Sequence, residues 1–345
     1  MSVQSNKGSE MYRMARHSSF VLTAAAVRAL KAPLHDITPL IRSAPLSNKL
    51  NCDVFFKMDC AQPPGSFKLR GIGATVKEAV ENGADGVVSS SGGNAGLATA
   101  HAARALGIAC TVVLPTTTPD AVRLKLEKEY GAEVIVEGNV WDEANERAKA
   151  LAAEYKRPLV HPFEGATTWK GHASLVQEVD AQLAEIGKKM DAIVCCVGGG
   201  GLLAGVLRGV GDRDDCLIVA AETHGADSFS KSFAAGTPAT IPITSIAKSL
   251  GAGTPSPTVL KDALASKRVH PHVVSDSDAV RACLNFADER RVLVEPACGA
   301  ALACVYGDDV PAVLRDRRCV VVEVCGGAVV GVEQMNAWAR ELLKC

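Results

Sequence analysis

From residue 52 onward, short apolar runs alternate with stretches whose apolar positions recur at helical spacing. The runs 54–58, 86–90, 109–115 and 133–138 read as strands. Between them, 71–83, 95–107, 119–131 and 140–155 read as helices, the first three closed by Gly83, Gly107 and Gly131. Further on, 191–197, 216–222 and 317–325 are rich in consecutive apolar residues rather than alternating, the mark of strands buried on both faces. Strands alternating with helices predict the α/β class, a mostly parallel sheet with helices on both faces. No fixed-period repeat or low-complexity linker interrupts the pattern, and GTPSPT at 253–258 reads as a turn-rich loop.

Composition narrows the function classes. A chain of 345 residues suffices for one large or two ordinary domains. Lys and Arg total 37 against 38 Asp and Glu, so the net charge is −1 and no nucleic-acid partner is expected. No apolar stretch reaches the roughly 18 residues needed to cross a membrane. Residues 1–31 hold Lys7, Arg13, Arg16, Arg28 and Lys31 against Glu10 alone. We read them as a tail followed by a first helix near 20–30, in preference to an organelle transit peptide, with which the composition is also compatible. The twelve cysteines show neither C-x-x-C nor zinc spacing, and several lie inside apolar runs such as 193–197 and 301–306. Reduced core thiols in a cytosolic protein are therefore expected.

Two glycine-rich turns follow strands and open helices: SSSGGNAG at 89–96 and GGGGLLAG at 198–205. A helix N-terminus offers free amides and partial positive charge to an anion. Four successive glycines put no side chain in a phosphate's way, although a tight strand-to-helix turn also calls for glycine. Neither a dinucleotide fingerprint nor a P-loop continuation is present. QPPGSFKLRG at 62–71 sets Lys68 between a Pro-Pro-Gly turn and a helix start. Beside Phe67 and Leu69 its amine can be partly desolvated and so more reactive, while a plain surface lysine looks the same in sequence. One chemistry uses both a lysine and a phosphate loop: a Schiff base with pyridoxal phosphate.

Taken in order, GSFKLRG (65–71), SSSGGNAG (89–96), GGGGLLAG (198–205), VEPACGA (294–300) and VCGG (324–327) resemble the fold-type II pyridoxal-phosphate family of L-serine/L-threonine dehydratases, especially its short cytosolic members. The match runs from TPL at 38–40 to CGG at 325–327. The resemblance implies a tryptophan synthase β-like fold with two open, twisted, mostly parallel sheets. It implies a large cofactor-binding domain of residues 31–69 and 161–345, with a small domain of 70–160 inserted in it.

By the same resemblance, Lys68 forms the Schiff base and removes the α-proton, and Phe67 packs against the cofactor. Gly198, Gly199, Gly200 and Gly201 hold the phosphate of pyridoxal 5'-phosphate, and Asn94 bonds its ring hydroxyl. Ser91, Gly92, Gly93, Asn94 and Ala95 grip the substrate carboxylate. Cys325 faces the pyridine nitrogen, where a neutral thiol does not hold the nitrogen protonated and so favours prompt elimination. Glu222, with oxygens of Ala226, Ser228, Leu250 and Ala252, forms a monovalent-cation site suited to K+. The implied reaction converts L-serine to pyruvate and ammonia, and L-threonine to 2-oxobutanoate. A catabolic role in the cytoplasm, feeding gluconeogenesis, and a homodimer are further expectations.

Two departures from the family pattern matter. Gly92 stands where racemases of this family are expected to carry a serine acid, which argues against racemisation, and its small size is expected to leave room for a β-methyl. Ala328-Val329 follows CGG where Ser-Asn is common. Only 18 residues follow Gly327, too few for an isoleucine-sensing domain, so feedback control is not expected. The rivals are a racemase or β-replacement enzyme of the same fold and a catalytically silent ligand-binding paralogue. The presence of Lys68, Asn94 and the tetraglycine turn together opposes the silent reading.

Overall fold

The computed structural model describes residues 32–343. The expected tail, the helix near 20–30 and Cys345 lie outside the described residues. The elements in chain order begin with β1 (Leu40–Arg42), α1 (Ala44–Leu50), β2 (Asp53–Lys57) and α2 (Lys68–Glu81). Next come β3 (Gly86–Ser89), α3 (Asn94–Leu106), β4 (Ala109–Leu114), α4 (Asp120–Leu124), β5 (Glu133–Val136), α5 (Trp141–Tyr155) and β6 (Leu159–Val160). The second half contains α6 (Ala166–Ala184), β7 (Ala192–Cys196), α7 (Gly201–Val210), β8 (Leu217–Thr223), α8 (Ser228–Ala235), α9 (Pro257–Ser266) and β9 (Val269–Val274). It closes with α10 (Asp276–Arg290), α11 (Pro296–Tyr306), β10 (Cys319–Glu323) and α12 (Val332–Leu343).

These strands form two sheets. The larger has the order β1-β2-β10-β7-β8-β9, parallel except for β1 against β2. The smaller, β5-β4-β3-β6, is parallel throughout. Strand β10 lies between β2 and β7, with Val321 opposite both Phe55 and Ile193. The apolar runs of β7 and β10 are buried at every position, as a parallel sheet covered on both faces requires.

Several expectations are corrected. The helix expected over 119–131 breaks after Leu124 into a π-helical segment, Lys125–Glu129, which turns Leu126 into the core. The strand expected over 317–325 stops at Glu323, because the chain leaves the sheet for a turn through Gly326 and Gly327 at positive φ. Pro271 hides β9 in the sequence; β9 is an edge strand, where a missing amide is tolerated. The eleven cysteines among the described residues are all unpaired by disulfides. No helix among the described residues is long and apolar enough to cross a membrane.

Close helix contacts set the site. A Cβ on Gly71 of α2 would lie 2.5 Å from the Thr168 carbonyl of α6, and one on Gly205 of α7 would lie 2.3 Å from the Cβ of His172 in α6. Without those methyls the three helices pack in sequence, α2 on α6 and α6 on α7. The first turn of α2 is clamped by a buried ion network. Arg70 pairs with Asp59 at 2.7 Å and with Glu178 at 2.6 Å, and Lys57 reaches Glu178 at 2.6 Å. Arg70→Ala would strand the buried Asp59 carboxylate and leave Glu178 to Lys57, and a loss of about 3–5 kcal/mol is expected. Urea unfolding checks it; a loss below 1 kcal/mol would refute the clamp.

Candidate active site

A hydrogen-bonded joint brings Lys68 to Cys325. Phe67 N donates to Cys325 O at 3.1 Å, Gly327 N to Gly65 O at 2.9 Å, and Cys60 N to Val324 O at 2.9 Å. The joint needs glycine: Gly326 has φ +85°, and a Cβ there would sit 2.4 Å from Gly65 O. Lys68 opens α2 with its side chain turned inward, and Nζ donates to Pro162 O at 2.9 Å. Burial holds its pKa below the usual lysine value, while Cys196, Cys325 and Glu295 oppose that shift. Its Nζ stands 4.9 Å from the Phe67 ring centroid, and that ring packs on His172 at 5.0 Å.

The tetraglycine turn joins β7 to α7. Gly200 has φ +98° and no side chain caps α7. The amides of Gly198, Gly199 and Gly200 have no partner among the described residues, although Gly199 and Gly200 are buried. Buried amides left open at a helix N-terminus form a cradle for an anion. Phe163 closes one side: a Cβ on Gly199 would fall 2.4 Å from its ring. Trp169 Nε1 holds the Phe163 carbonyl at 2.7 Å, and His161 Nδ1 accepts from Glu164 N at 2.9 Å.

Ser91, Gly92, Gly93, Asn94 and Ala95 form the turn from β3 into α3. Gly93 N donates to Ser91 Oγ at 3.2 Å. Asn94 Nδ2 donates to Glu295 Oε1 at 2.8 Å and its Oδ1 accepts from Ala328 N at 2.9 Å, so this turn touches both α11's start and the CGG turn. The space left by Gly92 is not open as expected: a Cβ there would lie 2.7 Å from Thr118 Oγ1.

Cys325 is buried, 3.5 Å from Cys196 Sγ. The Cys196 and Cys298 thiols and burial push its pKa well up, so it is a neutral thiol. Glu222 accepts from Phe229 N at 2.9 Å and Ser230 N at 2.7 Å, and burial pushes its carboxyl up to about 8. Ser228 Oγ donates to Ala252 O at 2.7 Å, and Ala226 N bonds Thr223 O. Leu250 packs on the tetraglycine turn, its Cα 3.1 Å from where a Gly198 Cβ would stand. Of the expected cation ligands, Leu250 thus lies beside that turn, Ser228 and Ala252 are bonded to each other, and both Glu222 oxygens are engaged by amides of α8.

Sequence reasoning missed Glu295, Phe163, His161 and His172. Burial pushes the Glu295 carboxyl up to about 7, against the opposing pull of Ser249, Asn94 and Lys68, and its Oε2 has no partner. The acid in VEPACGA was the available signal. His172 is buried with both ring nitrogens unpartnered and is therefore neutral.

The family model described as pyridoxal-phosphate dependent enzyme matches residues 32–326. This chain belongs to that family. It is 45% identical to a human serine dehydratase-like protein, over 92% of this chain and 98% of that one. It is 42% identical to the human L-serine dehydratase/L-threonine deaminase, over 90% and 96%. The structure of a fungal L-serine ammonia-lyase from Rhizomucor miehei superposes with a TM-score of 0.83 at 34% identity, covering 90% of this chain and 99% of that one. The residues of this enzyme fit pyridoxal phosphate: three unpaired amides await an anion, and a desolvated lysine stands in the same site with a neutral thiol.

Proposed function

We propose that this enzyme is an ammonia-lyase that dehydrates L-serine to pyruvate and ammonia and accepts L-threonine, yielding 2-oxobutanoate. One observation carries the reading: a desolvated Lys68 stands in one site with an anion cradle of unpaired amides. The names of the relatives support the substrates. Acceptance of threonine rests on them and not on Gly92, whose flank is filled by Thr118.

When bound, pyridoxal phosphate supplies a sink for the electrons released at the substrate's Cα. Gly198 to Gly201 present their amides to its phosphate, and Phe67 packs beside it. Lys68 would hold it covalently, and its Nζ would take the α-proton. Its lowered pKa makes that amine a readier proton acceptor than an ordinary lysine. Ser91, Gly92, Gly93, Asn94 and Ala95 orient the substrate carboxylate, and Asn94 bonds the ring hydroxyl. Cys325 faces the ring nitrogen as a neutral thiol. Glu295, near Asn94 and Lys68, is placed to hold a proton. The proton taken by Lys68 would pass to the departing β-hydroxyl, which leaves as water, and the released enamine would hydrolyse to keto acid and ammonia. Gly92 carries no group that could reprotonate Cα from the other face, which disfavours a racemase. Incubation with L-serine separates these readings: pyruvate is expected, and D-serine as main product would overturn the proposal.

A small domain of 70–160, inserted in a large one of 31–69 and 161–345, is part of this reading. It is supported by the smaller sheet, whose strands run from Gly86 to Val160. We also place K+ at Glu222, Ala226, Ser228, Leu250 and Ala252, next to the phosphate turn, and take the working unit to be a cytoplasmic homodimer. Potassium favours the ionised carboxylate, and Glu222 ionises only above pH about 8 without it. The rise in Tm on exchanging choline for K+ is therefore expected to grow as pH climbs toward 8 and to vanish in Glu222→Ala. An equal rise in that variant would remove Glu222 from the site.

A further inference from the structure

Near Lys68 lies a buried cluster of two thiols and a carboxyl that the reaction does not use in full. The Sγ atoms of Cys196 and Cys325 and a carboxylate oxygen of Glu323 all lie within 4.8 Å of one another. All three residues are buried. Among the described residues neither oxygen of Glu323 has a hydrogen-bond partner, and Arg70, a cation whose charge reaches it, is already taken by Asp59 and Glu178. A buried carboxyl with both oxygens open, aimed at two thiols, signals a missing ligand.

We propose that Cys196, Cys325 and Glu323 form a site for a thiophilic divalent cation, Zn2+ being the type, and that this cation and pyridoxal phosphate exclude each other. The exclusion rests on the reading of Cys325 as the partner of the pyridine nitrogen. Thiolates and a carboxylate are the donor set of tetrahedral zinc. Two sulfurs each about 2.3 Å from zinc lie about 3.8 Å apart at the tetrahedral angle. The present separation is 3.5 Å, so little movement is needed. Cys298, hydrogen-bonded to Cys325, is a third sulfur and a fourth donor at hand.

Charge also balances. On binding, the cation displaces two thiol protons and one carboxyl proton to solvent, and no electron moves. Three anions and Zn2+ leave one negative charge, which favours a proton on the nearby Lys68 amine, and that ammonium cancels it. Lys68 can do this only when it is not engaged by the cofactor. Charge thus separates the two occupants, as does the shared contact with Cys325.

The test uses the full chain, freed of cofactor and kept reduced, incubated with Zn2+ and then desalted. One zinc per chain is expected, with two fewer thiols reactive toward a disulfide reagent. Retention is expected to fall at least about 10-fold in Cys196→Ser and in Glu323→Gln, and to persist in Cys110→Ser, a buried thiol of the smaller sheet. Far-ultraviolet circular dichroism checks that each variant folds, and the near-isosteric Glu323→Gln guards against a collapsed core. Zinc-loaded protein should not develop the visible absorbance of bound cofactor until a chelator is added. No retained zinc, or equal retention by the variants, overturns the site. Zinc retained with cofactor loading unaffected overturns the exclusion and the placement of Cys325 at the pyridine. Cofactor loading and pyruvate formation by the zinc-free chain report on the functional reading separately.

Discussion

Lys68→Ala is expected to lower pyruvate formation from L-serine by at least about 10³-fold, since it removes both the covalent anchor and the proton acceptor. The fold should survive. Among the described residues Lys68 Nζ bonds only Pro162 O, and the first turn of α2 is held by Arg70. Lys68→Arg separates charge from chemistry, because a guanidinium stays protonated and cannot accept the α-proton. Borohydride should fix the cofactor to the parent enzyme and leave both variants unlabelled. In the parent enzyme, activity should fall on acidification as the amine gains a proton. Its lowered pKa sets that fall below the range of an ordinary lysine. Activity within about tenfold of the parent in Lys68→Ala would end the assignment.

Gly199→Ala is expected to have the second largest effect, a loss of cofactor affinity of about 100-fold or more, equivalent to about 2.7 kcal/mol. The new methyl would enter the Phe163 ring at 2.4 Å. That ring cannot simply retreat. It meets His161 edge-on at 4.6 Å, and its backbone carbonyl is held by Trp169. If the ring moves, the Pro162 carbonyl moves with it and Lys68 Nζ loses that hydrogen bond. If the glycine turn moves instead, the three open amides no longer converge. Overpacking itself should cost about 1–3 kcal/mol of stability. Gly331→Ala is the control, since nothing lies within 4 Å of a Cβ there. Equilibrium titration with pyridoxal phosphate measures the effect, and an unchanged Kd would show that the turn does not hold the phosphate.

What could be read in advance was local. The α/β alternation and the two glycine turns lie in contiguous residues whose spacing reflects their geometry, and Lys68 stands beside a Pro-Pro-Gly turn that marks a helix start. What escaped depends on distant partners. Phe163 is one apolar residue among many until Gly199 is seen beneath its ring. Glu295 becomes a buried acid with a raised pKa only once Asn94, 201 positions away in the chain, is bonded to it. Glu323 sits in an apolar run like any strand residue, and only the fold shows its oxygens without partners. The space beside Gly92 was misjudged for the same reason, because Thr118 arrives from another loop.

The order of the larger sheet carries a cost for synthesis. Strand β10 is the last strand made and the one that joins the two halves of the sheet, between β2 and β7. Until residue 323 has left the ribosome, β2 and β7 each show an open edge of buried, apolar residues to the surrounding cell. Such edges pair readily with other chains. A nascent chain must therefore be shielded through nearly its whole translation, and a stop codon before Cys319 should give insoluble protein instead of a weakened enzyme.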